Sequence, residues 1–360
     1  MDFSEYTGPS EEWLALEKHL PAEPERSLDE LKALVNKTRE DGSARDLITE
    51  GLATKVSFTE HRIPTRDNEF IDARSCRPAH IDKATPLPIY IHLHGGGFLF
   101  GTLGSENAAC ARIVVALAEQ GTNVVVLNVN YRHTPEYTYP TAWDDAEDAF
   151  HWAHEHLGEF GGDGERLVMG GISAGAWLTT STALAQATGS NKELASRPKI
   201  KGMVLMIPPT VHYDCYESQL KQMKSPSVSS YEQNRDAPVL PFKRMEQFMG
   251  LLKLPAEAIK ERDLRLNPGN ATPEEVKGLP PATFGVAGRD ILRDEGLLFA
   301  KFLAENGVPT QTNVFKGVPH GFRRYGNKLS VCEKWDEVMA EGVKWALSSP
   351  AAGPFEIHAF

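Results

Sequence analysis

Only four cysteines, Cys76, Cys110, Cys215 and Cys332, occur in 360 residues, and no two form a C-x-x-C pair. Free thiols in a reducing compartment are therefore expected rather than a disulfide framework. Long hydrophobic runs are missing too: no stretch approaches the ~18 consecutive apolar residues of a membrane span. The start, Met1-Asp2-Phe3-Ser4-Glu5, has neither the basic residues nor the apolar run of a secretory signal. Positive charge is in the minority, and the formal net charge of -11 argues against nucleic acid or an anionic membrane as partner. No G-x-G-x-x-G follows an apolar run, so a dinucleotide fingerprint is absent. His151, His154 and His156 lie close together but lack zinc-site spacing. They read as the solvated face of a helix, with no metal. These absences leave a soluble, cytoplasmic chain, monomeric or homodimeric, that acts on a small molecule.

What is present is an alternation of apolar β-branched runs and helical patterns. The runs are 55–64, 86–93, 123–130, 166–172, 201–207, 281–287 and 310–315. Several are almost continuously apolar, as in Val124-Val125-Val126-Leu127, which suits strands buried on both faces of a parallel sheet. Amphipathic helical stretches lie at 105–120, 142–157, 174–187, 295–306 and 328–347. The pattern predicts an α/β fold with a doubly wound, mostly parallel sheet. Two segments break it. Residues 1–54 read as polar helices, and 212–267 hold no parallel-type strand but a helical stripe of Met245, Phe248, Met249 and Leu252. Together they are expected to form a helical cap over a core split into 55–211 and 268–348. The tail 349–360 reads as extended.

Three short segments carry chemistry. Gly171-Ile172-Ser173-Ala174-Gly175 follows an apolar strand and precedes a helical pattern, the setting of a nucleophile on a tight strand-to-helix turn. Small residues at Gly171 and Gly175 avoid clashes there, and the helix N-terminus favours negative charge beside the Ser173 hydroxyl. Gly95, Gly96 and Gly97 follow His94 at the end of another strand, leaving backbone N–H groups bare of side chains. With that of Ala174, these groups can bind an oxyanion. His320, directly after the last apolar run, can accept the Ser173 proton. Asp290 is the first acid after the preceding strand and can orient that imidazole. Asp294 and Glu295 compete for the role, but Asp294 reads as a helix-start residue. The order Ser, Asp, His is that of an α/β-hydrolase. Phe98, Trp177, Met245, Phe248 and Met249 are the candidate lining of a substrate pocket, although a cap helix packed on the core predicts the same apolar stripe.

On these motifs the chain resembles the hormone-sensitive-lipase-like esterases, which include arylacetamide deacetylases and plant carboxylesterases. Also shared are Gly101, Tyr131-Arg132, Pro135-Glu136, Pro140, Asp145, Leu279-Pro280-Pro281, the run from Asp290 to Gly296, and His320-Gly321-Phe322. The resemblance implies a capped α/β-hydrolase with no cofactor that hydrolyses short- to medium-chain carboxylic esters, acetyl esters included. It implies Ser173 as nucleophile, Asp290 and His320 as its partners, and Gly96, Gly97 and Ala174 as oxyanion hole. Ile172, Ala176-Trp177 and His133-Thr134 depart from the family's usual residues. A non-catalytic small-molecule receptor, or a lyase or dehydratase, on the same scaffold are the competing functions.

Overall fold

Aliphatic and β-branched runs become strands here because helices cover both of their faces. The structure, a computed structural model, describes residues 1–21, 26–260 and 263–360. Residues 22–25 of the expected N-terminal helical stretch, and 261–262 of the expected insertion, lie outside the described residues. Among the described residues the strands are β1 (Val56–Pro64), β2 (Phe70–Pro78), β3 (Leu87–Leu93), β4 (Val125–Val129), β5 (Gly162–Ile172), β6 (Gly202–Met206), β7 (Ala282–Arg289), β8 (Thr310–Pro319) and β9 (Ile357–Ala359). They form one sheet in the order β1-β2-β4-β3-β5-β6-β7-β8-β9. Only the β1–β2 and β2–β4 pairs are antiparallel. This is the mostly parallel sheet of an α/β-hydrolase.

The α-helices of seven residues or more are α1 (Glu11–Glu17), α2 (Leu28–Thr49), α3 (Leu103–Glu119), α4 (Thr141–Glu155), α5 (Ala174–Thr188), α6 (Phe242–Leu251), α7 (Arg293–Glu305) and α8 (Val331–Leu347). Successive strand residues feed opposite faces: Ile89, Ile91 and Leu93 pack with α4, α5 and α7, while Tyr90 packs with α3 and α8. Both faces are thus dry, which is why Val124 to Leu127 show no polar alternation.

Two strands go beyond the apolar runs. β2 carries Asp72, Arg74 and Arg77, charges that interrupt its hydrophobic signal. Arg77 is nevertheless buried, and its guanidinium donates to the carbonyls of Asp82 (2.7 Å), Lys83 (2.9 Å) and Phe160 (3.1 Å). β9 lies in the tail and pairs with β8, with Phe360 N donating to Val314 O (2.9 Å) and the Phe360 ring stacked on Phe315. The tail therefore covers an otherwise open sheet edge. The histidines of α4 correct a second expectation. They are partly buried rather than solvated: one turn back, Phe150 meets the His154 ring at a tilt of 60° and Trp152 stacks on that of His156. Among the described residues no His, Cys, Asp or Glu cluster could hold a metal.

The N-terminal segment is tied to the body by buried contacts. Trp13 is fully buried against the edge of Tyr325, and α2 lies along α3, where Ala108 N donates to Ser43 Oγ (2.9 Å). Residues after β6 meet the same N-terminus: Lys224 N donates to Met1 O (2.7 Å). At the junction Arg293 is fully buried and donates to Asp294 (2.8 Å), to Gln233 (3.1 Å), to Thr7 and to the Val228 carbonyl. Asp294 also accepts from Ser230 N (2.6 Å). It begins α7 as the sequence suggests, but it is a buried ion-pair partner and not an exposed helix-end charge. Arg293→Met leaves that carboxylate unpaired in the interior and is expected to cost about 3–5 kcal/mol. Lys37→Met, which breaks an exposed pair with Asp41, leaves the urea midpoint unchanged. Urea denaturation of the two variants checks the contrast.

Candidate active site

The elbow follows from close packing at the ends of β3 and β5. A Cβ at Gly171 would stand 2.5 Å from Leu93 O, and one at Gly175 would run into the same carbonyl. With no side chains there, the chain turns sharply from β5 into α5, and Ser173 takes φ 53° and ψ -115°. A left-handed conformation at a non-glycine residue costs of order 1–3 kcal/mol. It is held by Ser173 N donating to Met206 O (2.8 Å) and by the start of α5, where Trp177 N donates to Ser173 O (3.1 Å).

Loops from two other strand ends meet the hydroxyl. Ser173 Oγ donates to His320 Nε2 (3.0 Å), and His320 Nδ1–H donates to Asp290 Oδ2 (2.7 Å). Asp290 Oδ1 accepts from Leu292 N (3.0 Å), and Asn234 donates to the Asp290 carbonyl (2.9 Å). The rivals for the acid stand elsewhere. Asp294 pairs with Arg293, and Glu295 accepts from Thr210 N (2.6 Å), Val211 N (3.1 Å) and Tyr231 OH (2.7 Å).

The glycine loop after β3 uses φ values of 145° at Gly96 and 62° at Gly97. Among the described residues no acceptor takes the N–H of Gly96, Gly97 or Ala174. The loop is fixed from behind. Arg39 Nη1 donates to Gly95 O (2.9 Å), and Tyr131 OH donates to His94 O (2.7 Å). The fully buried His94 ring stacks on Tyr131 and meets Gly95 O through Nδ1 (3.2 Å) and His133 Nε2 through Nε2 (3.3 Å). Burial pushes the His94 imidazole down to about 4, so it is neutral at pH 7. Its Nδ1 faces a carbonyl and must carry the proton. Nε2 is then the acceptor, and His133 donates to it. Sequence reasoning missed Arg39, whose only signal was its place on an amphipathic helix eight residues after Leu31. It also missed the pairing of His133, visible only as a family departure.

All of this opens into a cleft of about 1040 Å³. Apart from Asp290, every site residue expected from the sequence lines it, from the glycine loop, Phe98, Ser173, Ala174 and Trp177 to His320. So do Met245, Phe248 and Met249 on α6, with Phe248 set against Gly97, where a Cβ would meet its ring. Trp177 and Phe98 are buried and form the floor; the indole N–H of Trp177 donates to Leu266 O (2.8 Å).

Known proteins share this architecture. A family model described as alpha/beta hydrolase fold matches residues 90–324. The ethyl acetate hydrolase of Pseudomonas putida is 32% identical over 278 residues, 76% of this chain and 77% of that one. A versiconal hemiacetal acetate esterase of Dothistroma septosporum is 29% identical over 73% of this chain and 74% of its own. Among solved structures, vibralactone cyclase superposes with a TM-score of 0.82 at 26% identity, covering 95% of this chain and 96% of that one. A thermostable esterase from Pseudomonas putida gives 0.76 at 26% identity, covering 95% and 98%. The chain belongs to the hormone-sensitive-lipase-like family of α/β-hydrolases. Its activity is that of a carboxylic ester hydrolase.

Glu295 generates a pH prediction. Burial pushes its carboxyl up to about 7, against the hydrogen bonds from Thr210, Tyr231 and Val211, which favour the charged form. Between its ordinary value of 4.5 and about 7, the folded protein keeps a proton that the unfolded chain has lost. The stability from this group is therefore full below 4.5 and is lost as pH rises to 7. His94 acts oppositely, losing stability as pH falls from 6.5 toward 4. Subtracting Glu295→Gln from wild type in urea titrations isolates the first slope. The difference should shift against wild type as pH rises from 4.5 to 7; a flat difference would place the Glu295 proton elsewhere.

Proposed function

We propose that Ser173, His320 and Asp290 are the catalytic triad of this esterase, and that it hydrolyses short- to medium-chain esters, acetyl esters among them, through an acyl-enzyme. The observation that carries this is the pair of hydrogen bonds from Ser173 Oγ through His320 to Asp290, beside a cleft also lined by Gly96, Gly97 and Ala174, whose N–H groups meet no acceptor among the described residues. Ser173 Oγ attacks the acyl carbon as His320 Nε2 takes its proton. The N–H groups of Gly96, Gly97 and Ala174 hold the tetrahedral oxyanion. Collapse breaks the bond to the alcohol oxygen, which leaves with the proton from His320. Water then repeats the sequence on the acyl-serine and releases the acid. Gly95 serves through its carbonyl, which anchors the loop to Arg39 and His94.

Residues 1–54 and 212–267 act as the cap, with α2 and α6 supplying its inner wall. The acetate-ester names of two relatives support small acyl groups. Four buried cysteines with no disulfide among them support a reducing, cytoplasmic setting. A receptor or lyase reading has no observation in its favour.

An organophosphate should label Ser173, because an activated hydroxyl attacks phosphorus as it does a carbonyl. Peptide mass mapping checks this, and labelling elsewhere in folded protein would overturn the assignment. Asp290→Asn should lower kcat by ~10³–10⁴, whereas Asp294→Asn should act on stability and leave kcat within a few-fold.

Acyl length is set by the finite apolar end of the cleft. Each buried methylene contributes ~0.8 kcal/mol until space runs out, after which added carbons clash. Rates on nitrophenyl esters should peak at short chains, and Phe248→Ala should move the peak to longer ones. A wild-type rate that rises steadily to long-chain esters would contradict the closed end.

A further inference from the structure

The cleft of this acidic chain is lined by arginines. A protein with a formal net charge of -11 lines this cavity with Arg39, Arg244 and Arg324 against a single acid, Glu295. Both oxygens of Glu295 are already held by Thr210 N, Val211 N and Tyr231 OH, and burial pushes its carboxyl up to about 7, which weakens its charge near neutral pH. Arg39 is the most informative of the three. It follows Leu31 and Val35 on one face of α2, and all three line the cavity. One of its five N–H donors goes to Gly95 O, and among the described residues no carboxylate stands within 4.0 Å of it.

Arg39 differs from Arg77, which spends its donors on backbone carbonyls away from the cleft, and from the arginines that hold carboxylates. Arg112 holds Asp46 and Glu50, Arg132 holds Asp67 and Asp145, and Arg265 holds Asp144 and Glu147. In so acidic a chain a partly buried arginine readily finds a carboxylate, yet this one faces a cavity walled by Val35, Phe100 and Phe248. A guanidinium in such surroundings interacts strongly with an anion brought to it, because little water is left to screen the pair. Arg324, which donates to Gly321 O, and Arg244 line the same cleft, but no unmatched charge is ascribed to either.

We propose that this cleft selects esters that carry a carboxylate on an apolar body, and that Arg39 receives that carboxylate. The inference rests on the esterase reading of the same site and names its substrate class. Two matched pairs test it. On the alcohol side, 4-acetoxybenzoate is compared with 4-acetoxybenzamide; on the acyl side, mono-4-nitrophenyl adipate is compared with 4-nitrophenyl hexanoate. In at least one pair, kcat/KM should favour the anion by about tenfold or more, the size expected of one charge-assisted hydrogen bond. That preference should shrink as KCl is raised, while the neutral substrate stays unaffected.

Arg39→Gln can lower activity on all esters by loosening Gly95, but only a binding role changes the ratio of anionic to neutral rates. That ratio should fall toward one in Arg39→Gln and return in Arg39→Lys. Calorimetry of 4-acetamidobenzoate against 4-acetamidobenzamide reads the same preference in wild type without turnover. Failure to hydrolyse any ester would overturn the proposed function while leaving this binding comparison to decide the inference. The inference itself is overturned if neither pair favours the anion, or if the preference survives unchanged in Arg39→Gln.

Discussion

The close approach of the β5-to-α5 turn to the last carbonyls of β3 is the constraint on which the site depends. Gly171 and Gly175 let that turn pass against Leu93 O and His94 O, at separations no side chain would permit. The same contact does two things. It holds Ser173 in a left-handed conformation with its hydroxyl clear of the sheet, and it fixes the serine relative to the glycine loop that leaves β3 at this point. Ser173 and the glycine-loop N–H groups proposed to act with it are thus set by one backbone crossing, not by two independently adjustable loops. The energy stored at Ser173 is carried by a fully buried parallel sheet, the least deformable part of the molecule.

The loop that carries Asp290 is bound to the N-terminus and to the segment after β6 in a comparable way. Within six residues the chain supplies Asp290 to the imidazole, Arg293 and Asp294 to a buried network with Thr7, Gln233 and Ser230, and Glu295 to Thr210 and Tyr231. Asn234, from the segment after β6, returns a hydrogen bond to the Asp290 carbonyl. Displacing the 212–267 segment would therefore disturb the acid as well as the pocket wall. The proposed cap and the proposed triad share one hydrogen-bond network.

Most of this was legible before any coordinates. The dry sheet showed itself in Val124 to Leu127, and the order of Ser173, Asp290 and His320 along the chain indicated the fold. That Asp290, and not Asp294 or Glu295, meets His320 follows from position, since the first residue beyond a strand reaches the loop cluster. What escaped were residues whose pattern conflicts with their environment. β2 was hidden because its arginines read as loop polarity, although Arg77 satisfies its donors on buried carbonyls. β9 is three residues long and exists through pairing with β8, a contact separated by more than forty residues. The histidines of α4 looked solvated because periodicity records polarity, and not the stacking of an imidazole on an aromatic ring one turn away.

The family departures show how such conflicts are resolved locally. His133 places an imidazole beside His94, and the pair is stable only because their tautomers interlock, one ring donating to the other while both remain neutral. Trp177, on the first turn of α5, is accommodated because its N–H reaches Leu266 O and its ring meets Trp143 and Phe98. Ile172 turns its side chain toward the cleft and packs where a Cβ on Gly95 would otherwise sit. Of these residues Ile172 and Trp177 line the cleft beside Ser173, whereas His133 stands behind the glycine loop against His94. The apolar surface that Ile172 and Trp177 present leaves little water to screen a charge in the cleft, so an anion brought to a guanidinium there is felt strongly.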